Sequence, residues 1–162
     1  MIENGTKSKV ACPKIKEYLE QALEGSRNSS IILQYRWETK MLEPVRVVSY
    51  KDIPGLRVPK AILSNLRIQG CYYNAYCTVK KIPGIRYVEG YLHDFITYPH
   101  AWNEFEGWHF DLTQEILWNE VGGEHAQIAN ISLEQLEEYY QITREKGNNL
   151  LWNPCTYLRV AA

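Results

Sequence analysis

The order of apolar patterns along this chain predicts an α+β domain in which a central helix packs on a mainly antiparallel β-sheet. Three observations carry that expectation. A helix-period stripe opens the chain, a second stripe lies near its middle, and three β-rich segments then follow one another with no helix between them. A parallel sheet would need strands alternating with helices, and the pattern is not of that kind.

Taken in order, Pro13 suits the opening turn of a first helix, whose buried stripe is Ile15, Tyr18, Leu19, Ala22 and Leu23 and whose stop is Gly25. Ser26 to Ser30 reads as a loop. Ile31 to Trp37 and Val45 to Tyr50 read as β-rich runs, with Glu43-Pro44 as punctuation. Lys51 to Pro59 holds two prolines and a glycine and reads as a surface loop. Pro59 opens a short helix through Leu66. The central helix begins near Cys71 and runs to about Lys80, with Tyr72, Ala75, Tyr76 and Val79 on its apolar face and Pro83-Gly84 beyond its end.

Ile85 to Leu92, Phe95 to Asn103 and Trp108 to Leu112 are the three strands. Gly122-Gly123 break the chain. A last helix starts at Ser132, where Gln135 completes a capping box; Leu133, Leu136, Tyr140 and Thr143 point inward and Glu134, Glu137, Glu138 and Glu145 outward, with Gly147 as the stop. Leu150 to Val160 reads as an edge strand.

At 162 residues, without repeat, low-complexity tract or linker, the chain reads as one domain, 1–162, large enough to bury a core. A formal net charge of −1 lacks the basic footprint of a nucleic-acid binder. No Lys/Arg cluster marks a membrane surface, and the apolar runs fall short of a bilayer span. The first nine residues lack the apolar region of a secretory signal, so a cytoplasmic location is expected, with delivery elsewhere by a non-classical route left open. Four scattered cysteines are too few for a disulfide scaffold, and the Cys71/Cys77 spacing is not that of a zinc ribbon. The 12 tyrosines and 5 tryptophans suit an aromatic cleft for an extended substrate.

The candidate chemistry lies between Gln69 and Thr113. Cys71, preceded by Gly70, opens the central helix, where free N–H groups and the macrodipole favour a thiolate nucleophile. Cys77 falls on another side of the helix and reads as structural. If residues 95–112 form a hairpin looping at 104–107, His100 faces Asp111 and Trp102 faces His109, while Asn103 points to the other face. That supplies a nucleophile, a base and a group to orient the base. An oxyanion hole would use the Cys71 backbone N–H and a side-chain amide from Gln69 or Asn74, either of which reads equally as a helix cap. Trp102 reads as a substrate wall or as core, and Glu89 as facing the cleft or solvent.

His93, Asp94, His100, His109, Asp111 and His125 allow a competing metal reading. There is no HExxH, and His93 and His125 read more simply as surface or loop residues. No metal and no cofactor are expected.

Gln69-Gly70-Cys71 at a helix start, His100-Ala101-Trp102 on a strand and Asp111-Leu112-Thr113 on the next resemble the papain-like and transglutaminase-like thiol enzymes, nearest their small bacterial and phage members. The resemblance implies a cysteine-bearing helix packed on an antiparallel sheet, with Cys71 as nucleophile, His100 as base and Asp111 as orienter. Gln69 stands only two residues before the cysteine, closer than the glutamine of papain-type enzymes, and Tyr72 stands where Trp is common. The expected function is a thiol-dependent hydrolase or acyltransferase acting on an amide, peptide or thioester bond, with a peptide or protein as substrate and neither nucleic acid nor membrane as partner. The alternative is a catalytically silent member of the fold, or another peptide-binding module using an aromatic cleft.

Overall fold

The computed structural model describes residues 10–144, 150–152 and 154–162. Helix α1, Pro13–Gly25, forms as its stripe predicts and buries Ile15 and Leu19. The Glu124 carboxylate caps its start from across the fold, accepting the N–H of Lys14 at 2.9 Å and of Ile15 at 3.1 Å.

The next segment departs from the sequence expectation. Ser29–Met41 is a helix, α2, where Ile31 to Trp37 reads as a strand. Asn28 caps it, its side chain accepting from Ser30 N and Ile31 N. That cap and the straight-chain residues after it outweigh the β-branched pair Ile31-Ile32. Glu38 is buried on α2, whereas Ile31 and Leu33 are 44% and 65% exposed.

Strand β1 is Glu43–Val45, so Glu43-Pro44 is strand rather than punctuation, and Val45 to Tyr50 is not a regular strand. After it come a short 3-10 turn at Tyr50–Asp52, the helix α3 at Lys60–Ser64 and the central helix α4 at Cys71–Lys81. Strands β2 (Ile85–His93), β3 (Thr97–Phe105) and β4 (Trp108–Phe110) form a meander. Beyond a π-helical turn at Thr113–Leu117, strand β5 spans Glu124–Ile131. Helix α5, Leu133–Thr143, starts with the expected capping box at Ser132 and Gln135. Glu145 and Gly147, expected at its end, lie outside the described residues. A 3-10 turn at Leu150–Trp152 and helix α6 at Pro154–Ala161 stand where an edge strand is expected. Proline at the first helical position and the i, i+3 pair Tyr157 and Val160, both buried, favour the helix.

The sheet order is β1-β5-β2-β3-β4, and every pairing is antiparallel. Its two edges approach each other. Val47, just past β1, bridges His109 of β4, and Val48 N donates to His109 O at 3.0 Å, so the sheet curls. One face is covered by α1, α4 and α5. There Tyr87, Tyr91, Ala101, Phe110, Ala129 and Ile131 pack with Leu19, Ala75, Val79 and Leu136. The other face turns inward, and Val45, Val47, Val88 and Trp102 form a second, smaller cluster on it. Gly90 is needed where β5 bulges toward β2, since a Cβ there would lie 1.9 Å from the Ala126 carbonyl oxygen. No helix among the described residues is long and apolar enough to cross a membrane.

The β3–β4 hairpin turns tighter than expected. Its loop is Glu106-Gly107, both at positive φ, and the register pairs Asn103 with Phe110 and Glu104 with His109. Relative to the sequence expectation the strands are offset by two residues. An even offset leaves every side chain on its expected face. Asp111 therefore lies past the end of β4, on the side of the sheet that His100 occupies.

Candidate active site

Helix α4 begins with Gly70 as N-cap and Cys71 as its first residue, and no side chain caps it. Gly70 sits where a Cβ would come within 2.8 Å of Arg67 Cβ, so the tight approach into the helix excludes larger residues. Cys71 is half-buried at the end where the first N–H groups of a helix lack intrahelical partners.

Neither Gln69 nor Asn74 is a helix cap. Asn74 is 3% exposed and pins the loop before the helix. Its Oδ1 accepts Arg67 N at 2.8 Å, and its Nδ2 donates to Arg67 O at 2.9 Å and to Thr113 Oγ1 at 3.0 Å. Both amide hydrogens are thus engaged. Gln69 is exposed, with φ at 56°, immediately before the Gly70-Cys71 step.

His100 and Asp111 meet. His100 Nε2 lies 2.6 Å from Asp111 Oδ2, with both side chains 1% exposed. The Cys71 side chain lies close enough to the His100 ring to favour its charged form. With Nε2 committed to the carboxylate, Nδ1 is the ring nitrogen left for a second partner. Asp111 accepts two further bonds, from Gln114 N to Oδ1 at 3.0 Å and from His125 Nε2 to Oδ2 at 3.2 Å.

The electrostatics follow from those contacts. Burial opposes ionisation of Asp111, yet His100 and then His125 outweigh it and hold the carboxyl well below its ordinary value. Burial also opposes charging of His100, but Asp111 and Cys71 together push it up to about 10. The pair is therefore an imidazolium and a carboxylate at neutral pH.

Aromatic rings enclose this pair. Around the His100 ring stand Tyr98 at 5.8 Å, Trp118 at 5.7 Å, the stacked Trp102 at 6.2 Å and His125 at 6.3 Å. Trp102 is 1% exposed and donates Nε1–H to His109 Nδ1 at 3.0 Å, so it is core on the inner face and does not line an open cleft. Asn103 lies on the opposite face and donates to Ala75 O at 3.0 Å. The half-exposed aromatics beside His100 are Tyr98 and Trp118, whose rings are 6.3 Å apart.

Two expectations need correcting. His125 is not a surface or loop residue; it sits in β5, 1% exposed, against Asp111 and 5.0 Å from the Trp102 ring. The alternation in His125-Ala126-Gln127-Ile128 was the signal for that strand. Glu89 faces neither cleft nor solvent. It is 1% exposed on the helix-covered face, accepting Tyr87 OH at 2.8 Å and Leu150 N at 2.8 Å. His93, by contrast, is partly exposed, and its Nδ1 lies 2.8 Å from Thr97 Oγ1.

His100, Asp111 and His125 also compose a cluster able to surround an ion, with ligand atoms within 4.8 Å of one another. Neighbouring ligands on a tetrahedral zinc, each at about 2.1 Å, stand roughly 3.4 Å apart. The 2.6 Å between His100 and Asp111 is a hydrogen-bond distance instead. Comparison with protein-family models, with curated proteins and with solved structures finds no match for the chain.

Proposed function

We propose that this protein is a thiol-dependent hydrolase or acyltransferase that acts on an amide, peptide or thioester bond through an acyl-cysteine, with a peptide or protein as substrate. The single observation that carries the reading is His100, bonded to the Asp111 carboxylate and close enough to Cys71, the first residue of a helix, to be influenced by its thiol. The same three residues are the ones implied by the resemblance to papain-like and transglutaminase-like enzymes.

In this mechanism the sulfur of Cys71, paired as thiolate with imidazolium His100, attacks the carbonyl carbon and forms the C–S bond. The developing oxyanion meets the backbone N–H of Cys71. We assign the second donor to Gln69 rather than Asn74, because the amide hydrogens of Asn74 are taken. His100 gives its proton to the leaving nitrogen or sulfur as the carbonyl re-forms and that bond breaks. Water or another nucleophile then attacks the thioester, His100 takes the proton of the attacking group, and the thiolate leaves. Asp111 fixes the ring and stabilises its cationic form throughout. Tyr98 and Trp118 flank the imidazole and provide the apolar side of the substrate path.

Iodoacetamide tests the reading. Peptide mapping after brief labelling at neutral pH should find Cys71 alkylated at least tenfold faster than Cys12, Cys77 or Cys155. p-Nitrophenyl acetate should leave an acetyl group on Cys71, and Cys71→Ala should abolish that adduct without changing the circular dichroism spectrum. Equal, slow labelling of all four thiols would instead favour a catalytically silent binding module.

A further inference from the structure

Away from the thiol, on the helix-covered side of the sheet, α1, α2 and β2 enclose a cavity of about 210 Å³ whose lining includes Tyr18, Ile31, Gln34, Tyr35, Glu38 and Tyr91. Glu38 is 2% exposed. Tyr91 OH donates to one of its oxygens at 2.7 Å and Gln34 Nε2 to the other at 3.3 Å. Both donors are neutral. Among the described residues the lining holds this carboxyl and no lysine or arginine.

A buried carboxyl without a cation is a cost to the fold, because neutral donors replace only part of the lost hydration. Burial accordingly pushes Glu38 above the usual carboxylate range, the Tyr91 and Gln34 bonds opposing it only in part. α2 places that acid inward while leaving Leu33 65% exposed, the reverse of what packing alone would select. Three phenol rings share the cavity. Tyr18 and Tyr91 stand 5.7 Å apart at 50°, and Tyr35 is near enough to Tyr18 to disfavour ionisation of its hydroxyl. Aromatic rings around an acid form a setting that attracts a cation through both its charge and the ring quadrupoles.

We propose that this cavity binds a small organic cation, an alkylammonium or methylated ammonium group the size of the end of a lysine side chain. The volume sets the size class: 210 Å³ lies below the usual range for sites that take whole metabolites, about 300 Å³ and upward. A ligand of this kind brings into the cavity the cation that its lining lacks, and binding it favours the ionised form of Glu38. The proposal is independent of the thiol chemistry, since none of the three residues assigned to that chemistry lines the cavity.

The test compares three probes on the unmodified chain: n-butylammonium, tetramethylammonium and 1-butanol, followed by calorimetry and by NMR of the tyrosine rings. Both ammonium ions should bind saturably and shift Tyr18, Tyr35 and Tyr91, with 1-butanol at least tenfold weaker than n-butylammonium. Glu38→Gln should weaken ammonium binding at least tenfold while keeping the Tyr91 contact. Butanol binding as tightly as butylammonium, no saturable binding of either ammonium ion, or unaltered ammonium binding in Glu38→Gln would each overturn the proposal. Should Glu38→Gln fail to fold, the charged-against-neutral comparison on the parent chain decides.

Discussion

Asp111 and Glu89 are two carboxyl groups buried to nearly the same depth, 3% and 1% exposed, on opposite faces of one sheet. They are in opposite electrostatic states. Asp111 meets two imidazoles and is held ionised. Glu89 meets a tyrosine hydroxyl and a backbone N–H, and burial pushes it up to about 8, with those neutral donors opposing. Depth therefore does not decide whether a buried acid carries charge; the formal charge of its partners does. The helix-covered face uses a carboxyl to pin the chain near Leu150. The inner face stores a separated charge pair beside a thiol, which is where chemistry has something to act with.

The most severe way to break this contrast is to remove the charge on the inner face. Asp111→Asn keeps the shape of the carboxylate but leaves His100 buried without its anion. Desolvation, the largest influence on that ring, then prevails, and its midpoint should fall by several units from about 10. NMR titration of the His100 ring protons measures that fall directly. Acetylation of Cys71 by p-nitrophenyl acetate should slow about a thousandfold, roughly 4 kcal/mol on the barrier. An unchanged His100 midpoint would mean that Asp111 does not set the charge of the site.

Glu89→Gln probes the other face and should leave Cys71 acetylation unaltered. Its signature is in stability against pH. The folded carboxyl titrates near 8 against an ordinary value of 4.5, so between those limits the native state binds more protons than the unfolded one. Stability contributed by neutral Glu89 is complete below about 4.5 and is lost as pH rises toward 8. His100 acts with the same sign in a higher window. Its contribution is complete below 6.5 and is lost as pH rises through about 10. Asp111, with its depressed value, contributes above 3.8 and loses that contribution as pH falls below it. Urea unfolding at successive pH values should show the parent chain weakening from about 4.5 upward. Glu89→Gln should weaken less steeply than the parent between about 4.5 and 8, the raised Glu38 leaving it a residual slope, and should end more stable than the parent at pH 8. Parallel curves for the two proteins would show that Glu89 ionises as an ordinary carboxylate.

How legible these features are in the sequence depends on the range of the interaction that fixes each. Helices α1, α4 and α5 announce themselves through stripes and caps within a dozen residues, and so does the β2–β3–β4 meander. The hairpin brings His100 and Asp111 to one side because faces survive an even offset in register, even though the loop is two residues shorter than counted. α2 is misread because Ile31-Ile32-Leu33 imitates a strand, and what overrules it is the Asn28 cap together with the straight-chain residues that follow. β5 escapes notice because Ala126 and Ala129 are weak strand formers whose place is secured only by β2 on one side and β1 on the other. His125 is missed along with it. Trp118 gives no local signal at all; it reaches His100 through the π-helical turn after Asp111.

His125 is the finest test of the contrast, because two opposed effects meet on one ring. Its Nε2 gives Asp111 a second charge-stabilising bond at 3.2 Å, while its Nδ1 is buried with no hydrogen-bond partner among the described residues. Losing a bond to a charged acceptor costs about 1.5–3 kcal/mol, and removing an unpaired buried nitrogen returns about 1–3 kcal/mol. His125→Phe keeps the ring against Trp102 and should therefore change overall stability little. The carboxylate loses a donor nonetheless, so the support it gives His100 is reduced. Cys71 acetylation should drop about tenfold, near 1.4 kcal/mol on the barrier. The pH midpoint of His100 should move in step, and His125→Gln, which retains an N–H, should recover most of both. A purely structural residue would lower the melting temperature and leave the His100 midpoint where it was. A residue that positions Asp111 does the opposite, and the two readouts separate them in a single pair of variants.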